Sequence, residues 1–561
     1  MKKFNELEYK RLDYEKIKEK ISKLIDELEN CIEFTSYIEI CKQIILIQNH
    51  IEEMCDYADI RNMRDSKDDF FSNEIKYWNE YKPKFDLLFL PFYNSIINSK
   101  FIEELHKFMP DNFFNTIEYQ MRITSDATIE LQQKENKLKT RYRELNVSKI
   151  MYDGQERSLP YISGDFANKD RNIRKKAHDT INDFYYSKQK EYDQLLFELI
   201  CVRNEIAKKL GFIDYSEYSL YLRRRFGYNY HNIKTFRDNI IKFIVPLCKK
   251  VTKWQKEELA LDKLMYYDTI YFSKMPQTLY TDNELLEKLS DSFERIDSDL
   301  AKVYSDMLSN GYIDLLQREN KINFAITNYL TETAMPTITS NFKNNYTDIQ
   351  TTTHEMGHSY QKVCASRKDK EYIVSALLKY PTFEIAEMFS YAMELLCMDN
   401  VENLFSKQDY NKYCFMKIYD MLSKFPYACL VDEFQETIYS IENLKVEDIR
   451  KIWIELTEKY DMKVSNSGHP NLESGGYFFR QTHIYTDPFY FIDYALSYFG
   501  AYAIYNKCHN DLELFKEIGE VASYYPFDVL IKKYNMPNPF EEDVVKDIAD
   551  TLEKELIKKK I

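Results

Sequence analysis

The sequence predicts an almost wholly α-helical protein, and three observations predict it. Apolar residues recur at spacings of three and four along most of the chain, the period that gathers them on one face of a helix. Only 11 glycines and 14 prolines occur among 561 residues, too few for a loop-rich sandwich or a glycine-rich phosphate cradle. No Gly-x-Gly-x-x-Gly follows a strand and no repeat of fixed period is present, so neither a dinucleotide-binding sheet nor a solenoid is indicated.

In chain order, "YEKIKEKISKLIDELEN" places Ile17, Ile21, Leu24, Ile25 and Leu28 on one stripe. Similar stripes cover 40–57, 128–148, 172–208, 284–308 and 540–558. The segment "MYDGQERSLPYISGDFANKD" is rich in Gly, Pro and Asp and marks a boundary. It divides the chain into an N-terminal helical domain, 1–165, and a larger domain, 166–561. One strand stands out. "PTITSNF" (336–342) carries β-branched Thr337, Ile338 and Thr339 and is expected as an edge strand. Thr347 then caps a helix, with Gln350 completing a capping-box pattern.

Composition narrows the class. Hydrophobic residues make up 44% and charged residues 30%, the balance of a soluble globular chain. A net charge of −14 argues against a nucleic-acid partner, which needs a basic face. The ten cysteines include no C-x-x-C pair and are expected as reduced, mostly buried thiols. The N-terminal "MKKFNELEYKRLDYEKIKEK" has no apolar core, so it is not a secretory signal. The longest apolar candidate, "FDLLFLPFYNSII", is broken by Pro91 and falls short of the ~18–20 residues that cross a bilayer. No membrane partner and a cytoplasmic location are expected.

The chemistry concentrates in "TTTHEMGHSYQ" (351–361). On a helix, residues four apart share a face, so His354 and His358 can reach one ion. Neutral imidazole suits Zn²⁺. Glu355, one position round, can take a proton from water at the metal. Gly357 inside the motif costs the helix about 1 kcal/mol relative to Ala, which points to close approach by another element. Catalytic zinc needs a third protein ligand. "YPTFEIAEMFSYAMELL" (380–396) offers Glu384, Glu387 and Glu394 on a largely apolar helix. On spacing alone either Glu384 or Glu387 is available, and Glu387 and Glu394 share a face.

A second constellation runs from Ser467 to Tyr494, "SGHPNLESGGYFFRQTHIYTDPFYFIDY". Gly475 and Gly476 suit a mobile loop or a close backbone approach to substrate. His483 and Tyr490 flank a Pro488 turn, with Tyr494 one helical turn beyond. Histidine and tyrosine can donate to an oxyanion. His50, His106, His178, His231, His469 and His509 lack a partner pattern and are expected to be structural or solvated.

"HEMGHSYQ" followed by "FEIAEMFSYAMELL" resembles the thimet oligopeptidase and oligoendopeptidase F family of zinc metallopeptidases, in the bacterial branch that includes Pz-peptidase. The resemblance extends to "FNELEYKRLDYEKI", "TITSNF", "FPYACLVDEFQETIY" and "HIYTDPFYFIDYALSYFGAYAIY". Relatives usually carry a glycine-rich stretch before the strand; "INFAITNYLTETAMP" has none. The resemblance implies two helical halves around a deep substrate channel, with a small β-element next to the zinc helix. It implies one Zn²⁺ per chain held by His354, His358 and Glu387, with Glu355 as base and His483 and Tyr490 as oxyanion donors. Tyr494 joins them in the cleft. The implied activity is endopeptidase cleavage of oligopeptides. The strand at 337–342, including Ser340, is expected to pair with substrate backbone. A helical metallocarboxypeptidase and a non-catalytic peptide-binding protein are the rival readings.

Overall fold

The stripes fold as their period requires. The computed structural model describes every residue except 1, 147–148, 273–274, 323, 344, 369–377, 379, 509–510 and 560–561. It is 70% helical, with only small sheets, so the chain is all-α. The first stripe is a helix over Tyr14–Glu29 that buries Ile21, Leu24, Ile25 and Leu28. Asp13 starts it by accepting from the Lys16 N–H, which satisfies one of the unpaired donors of the first turn. A long helix, α1 (Phe34–Arg64), follows.

Two stripes that read as continuous are each interrupted at one residue. The 172–208 stripe is α2 (Arg171–Ser187) and a helix over Gln189–Lys209. The 284–308 stripe is Asp282–Ile296 and Ser298–Ser309. Asp297, between the latter two, is extended at φ −166°, and its side chain accepts from the N–H groups of Asp299 and Leu300. A short polar side chain that caps one helix ends the other, because it offers the backbone a non-helical partner. The segment read as a boundary contains a hairpin, β1 (Lys149–Tyr152) and β2 (Gln155–Ser158). Asp153 and Gly154 turn it at φ 51° and 76°, and a tight hairpin turn with two positive φ values favours Asp-Gly.

The second sheet lies against the His-Glu-x-x-His helix. It has three strands, β3 (Ile313–Asp314), β4 (Ile326–Leu330) and β5 (Met335–Thr339), in the order β3-β5-β4. β4 pairs antiparallel with β5, opposing Thr327 to Ile338, and β3 pairs parallel with it, opposing Ile313 to Ile338. The expected edge strand is therefore the central one. The Ser340 N–H donates to the Asp314 carbonyl at 3.0 Å, so this amide is already engaged within the sheet. The outer strands are β3 and β4.

The N-terminal region is fastened to this sheet. Arg64, at the end of α1, donates to the carbonyls of Gly311 and Tyr312 at 2.9 and 3.0 Å and to Thr339 Oγ1 at 3.3 Å. Its guanidinium lies over the Phe4 ring. One continuous hydrophobic core runs from Phe4 to Leu556.

The His-Glu-x-x-His helix, α3, spans Thr347–Lys368. Thr347 is its first residue, so the Thr347–Gln350 capping box is not formed. Asn345 Oδ1 takes the Thr347 N–H, and the Asp348 carboxylate accepts from the N–H groups of Lys343 and Asn345. α3 packs on α4 (Phe383–Met398), which packs on α6 (Asp493–Lys507); α5 (Lys407–Ser440) also packs on α6. The α3–α4 contact is closest at Gly357, where an added Cβ would meet the Phe389 carbonyl oxygen and the Ser390 Cα, both at 2.5 Å. Backbone cannot swing aside as a side-chain tip can. Gly→Ala inside a helix ordinarily stabilises by about 1 kcal/mol. Gly357→Ala should instead destabilise by about 1–3 kcal/mol through overpacking, as read by denaturant unfolding. A stabilised variant would show that the two helices can separate freely.

Candidate metal centre

The two histidines of α3 and Glu387 of α4 converge. Among the described residues, His354, His358 and Glu387 form a group whose ligand atoms all lie within 4.8 Å of one another. His354 Nε2 is 3.2 Å from Glu387 Oε2, and His358 Nε2 is 3.6 Å from Glu387 Oε1. The imidazole rings stand 5.0 Å apart and nearly perpendicular. Glu387 is buried, while the histidine side chains remain 18% and 14% exposed, so the group opens to solvent on the histidine side. Burial pushes the Glu387 carboxyl up, but the His358 and His354 rings outweigh it and hold it well below the usual range.

The donor set fits a metal ion. Two imidazoles and one carboxylate, with one side left open, are the ligands of catalytic zinc sites in general. The surroundings fit as well. Glu394 Oε1 is 2.7 Å from His354 Nδ1, and a carboxylate on Nδ1 leaves Nε2 free for a metal. Glu394 is in turn held by Lys417 of α5, whose Nζ donates to Oε2. Glu387 and Glu394 thus sit on opposite sides of one imidazole, as their shared helix face requires. Glu384 is turned elsewhere and accepts from the Tyr228 hydroxyl at 3.2 Å. Burial, then Asp493, raises its carboxyl to about 7.

Glu355 is buried beside the ligands, and Thr327 of β4 donates to its Oε2 at 2.6 Å and to its carbonyl at 3.1 Å. The 483–494 segment closes the group from the other side. The Tyr490 hydroxyl donates to Glu387 Oε1. Its ring stacks on His483 with centroids 5.3 Å apart, and Tyr494 stands edge-on to both. Gln481 Nε2 lies 2.8 Å from His483 Nδ1, and the Tyr494 hydroxyl lies 3.5 Å from Nε2. Burial lowers the His483 pKa to about 4. Burial and the Glu387 charge push the Tyr490 and Tyr494 phenols well up, so both keep their protons as donors.

Gly475 and Gly476 serve internal packing. Gly475 sits at φ 80°, where an added Cβ would lie 2.7 Å from the Arg450 carbonyl oxygen, and one on Gly476 would lie 2.3 Å from Asn471 Oδ1. Gly476 is buried in that packing, which corrects the expectation of a mobile substrate loop. Of the remaining histidines, His178 stacks on Phe166 and His106 on Phe114. His50 pairs with Glu332, His231 opens a helix, and His469 accepts from the Asn471 N–H. His509 lies outside the described residues.

The groups that the sequence alone did not single out are three successive arginines, "RRR" at 223–225. Arg223 donates twice to the Pro488 carbonyl and lies over the rings of Phe383 and Tyr490. Arg224, at φ 54°, donates to the Tyr380 and Pro381 carbonyls. Arg225 donates to the Phe489 carbonyl and to Asp493. One turn thereby joins the start of α4 to the segment that carries Tyr490. Phe489 takes φ 65°, which is strained for an aromatic residue. It is held there by Gln435, which accepts its N–H at 3.0 Å, and by Arg225. The run of arginines was the available signal, but a run of charges ordinarily marks a solvated face.

Lys417→Met should loosen Glu394 and so the His354 ring. Loss of such a supporting contact lowers metal affinity by about 10–100-fold, which competition with a chromogenic chelator would read. Unchanged affinity would separate Lys417 and Glu394 from the metal centre.

Comparison with known proteins agrees with this geometry. Residues 4–124 match the Peptidase M3 N-terminal domain, and residues 166–525 match Peptidase family M3. Oligopeptidase PepF of Bacillus subtilis (strain 168) is 25% identical over 440 residues, which cover 73% of this chain and 62% of that protein. The chain thus spans less than two thirds of the length of this curated relative. Pz peptidase A, solved with an inhibitor, superposes with a TM-score of 0.94 at 28% identity, covering 99% of both chains. A protein provisionally named oligoendopeptidase F, from Bacillus anthracis str. Ames, superposes at 0.90 with 26% identity, covering 100% of this chain and 98% of that one. The match to the family over most of the chain, on a site with these residues, means that the chain belongs to Peptidase family M3.

Proposed function

We propose that the protein is a zinc endopeptidase that hydrolyses internal bonds of short peptides. The observation that carries this is the convergence of His354, His358 and Glu387 with Glu355 beside them. His354, His358 and Glu387 would hold the zinc, which when bound supplies Lewis acidity toward water and the scissile carbonyl. Thr327 anchors one oxygen of Glu355. The other is left to accept the proton of the attacking water and to return it to the leaving amine. Tyr494, kept protonated by burial and the Glu387 charge, donates with His483 to the oxygen on which negative charge develops, and Tyr490, likewise protonated, joins them when its hydroxyl swings from Glu387 to that oxygen. Glu387 and His483 orient those two phenols before substrate arrives.

Extended substrate would lie along β4, the outer strand whose Thr327 already touches Glu355. Backbone pairing there gives affinity with little demand on side chains, which suits oligopeptides of varied sequence. In this division of labour residues 166–561 carry the chemistry and residues 1–165 form a helical wall secured by Arg64. The seven buried free cysteines are in keeping with a cytoplasmic enzyme.

The decisive experiment is cleavage of an internally quenched peptide blocked at both ends. The wild type should cut it, chelation should abolish cutting, and Glu355→Gln should lower kcat by at least about 100-fold with metal still bound. Cleavage only of peptides with a free C-terminus would replace this proposal with a carboxypeptidase. His483→Gln should lower kcat/KM by about 10–1000-fold. A histidine whose pKa is lowered to about 4 is neutral above that pH and charges only as pH falls through it. Any acid limb that the wild-type profile shows well above pH 4 should therefore persist in this variant, and its disappearance would show that His483 titrates there.

A further inference from the structure

A small cavity lies away from His354, His358 and Glu387, beneath the turn that leads to His483. It has a volume of about 70 Å³ and is walled by Phe166, His178, Asn182, Tyr266, Tyr477 and Arg480, among others. Three buried nitrogens of its walls find no partner in the protein: His178 Nε2, Asn182 Nδ2 and Arg480 Nε. His178 is 6% exposed and Asn182 is fully buried. An unpaired buried donor costs about 1–3 kcal/mol; Asn182 Nδ2 and Arg480 Nε are donors in any state, and His178 Nε2 is a third in the tautomer that carries its proton there.

The chemistry of the walls selects the sign of that acceptor. None of the lining side chains is a carboxylate, so the walls offer a cation no compensating charge, whereas Arg480 offers one to an anion. Asn182 Oδ1 is taken by Arg480 Nη2 at 2.8 Å and by Asn471 Nδ2 at 3.3 Å, so its amide presents nitrogen to what remains. The Arg480 guanidinium makes no ion pair among the described residues; it lies over the Tyr477 ring at 4.5 Å. Tyr266 gives its proton to Asp179, which Lys175 also contacts, so that carboxylate is already compensated. Burial holds the His178 imidazole neutral, with Arg480 and Arg174 acting in the same direction and Asp268 against it. The volume has room for a monatomic ion or a pair of waters but not for an extended carboxylate ligand.

We infer that this cavity is a binding site for a small inorganic anion of the size of chloride, held by His178, Asn182 and Arg480. The ion sits under Gly476–Arg480, and the chain continues through Gln481 to His483, so occupancy steadies the segment that carries the second constellation. The inference does not depend on the peptidase activity.

Full-length, metal-loaded protein crystallised from sodium bromide tests it directly. An anomalous bromide peak is expected within hydrogen-bond distance of His178 Nε2, Asn182 Nδ2 and Arg480 Nε. In solution, replacing gluconate with chloride at constant ionic strength should raise Tm by about 1–2 °C, and Arg480→Gln should abolish the rise. Water density without anomalous signal in the cavity would overturn the inference. So would an equal Tm in the two salts, or a chloride effect that survives in Arg480→Gln. If that variant does not fold, the bromide peak in the wild type decides.

Discussion

The backbone contact between α3 and α4 at Gly357 sets the geometry on which the site rests. Two helices ordinarily pack 8–10 Å apart, at a distance fixed by the side chains between them. With no side chain at 357, the Phe389–Ser390 backbone comes to where a Cβ would be. Glu387 lies just before that point on its helix, and a glutamate on a closely packed neighbour reaches both imidazoles. Glu394, two turns further along, reaches the far nitrogen of His354. A single missing methyl group thus aligns a first carboxylate on the open side of the ring and a second behind it.

Much of this was legible in sequence, and the reasons differ by residue. His354 and His358 sit four apart with Glu355 beside them, a helical spacing that sequence states directly, whereas spacing left Glu384 and Glu387 both open as the third ligand and the family resemblance pointed to Glu387. The cost of Gly357 in a helix likewise implied a close neighbour. What stayed hidden depends on tertiary pairing. β5 reads as an edge strand because its composition is local, whereas its central place follows from β3, only two residues long, on its other side. Gly475 and Gly476 read as a flexible loop, yet their freedom is used to fit against Arg450 and Asn471. Lys417 and Arg223–Arg225 are charged residues whose periodicity says nothing of what they meet once buried.

Those buried arginines give the second half of the site its rigidity. Guanidinium presents several donors in a fixed fork, and each of the three spends them on backbone carbonyls of segments distant in sequence. Carbonyls are indifferent to side-chain identity, so the 488–493 turn is located by its main chain. The strained Phe489 is then a consequence of being held from two sides, by Gln435 and by Arg225. Tyr490 and Tyr494, which follow Phe489, inherit that precision and meet Glu387 and His483 without further adjustment.

Arg64 carries a consequence for how the protein is made. Its carbonyl partner Gly311 lies 247 residues later in the chain. At the ribosomal rate of about 5–20 residues per second, that partner emerges roughly 12–50 s after the arginine does. Until then the guanidinium stays in water, and the end of α1 has no sheet to dock on. The N-terminal helices therefore cannot reach their final packing as they leave the ribosome. Their contact with the sheet is completed only when the strands beside the His-Glu-x-x-His helix arrive, so the two parts of the chain are joined late in synthesis.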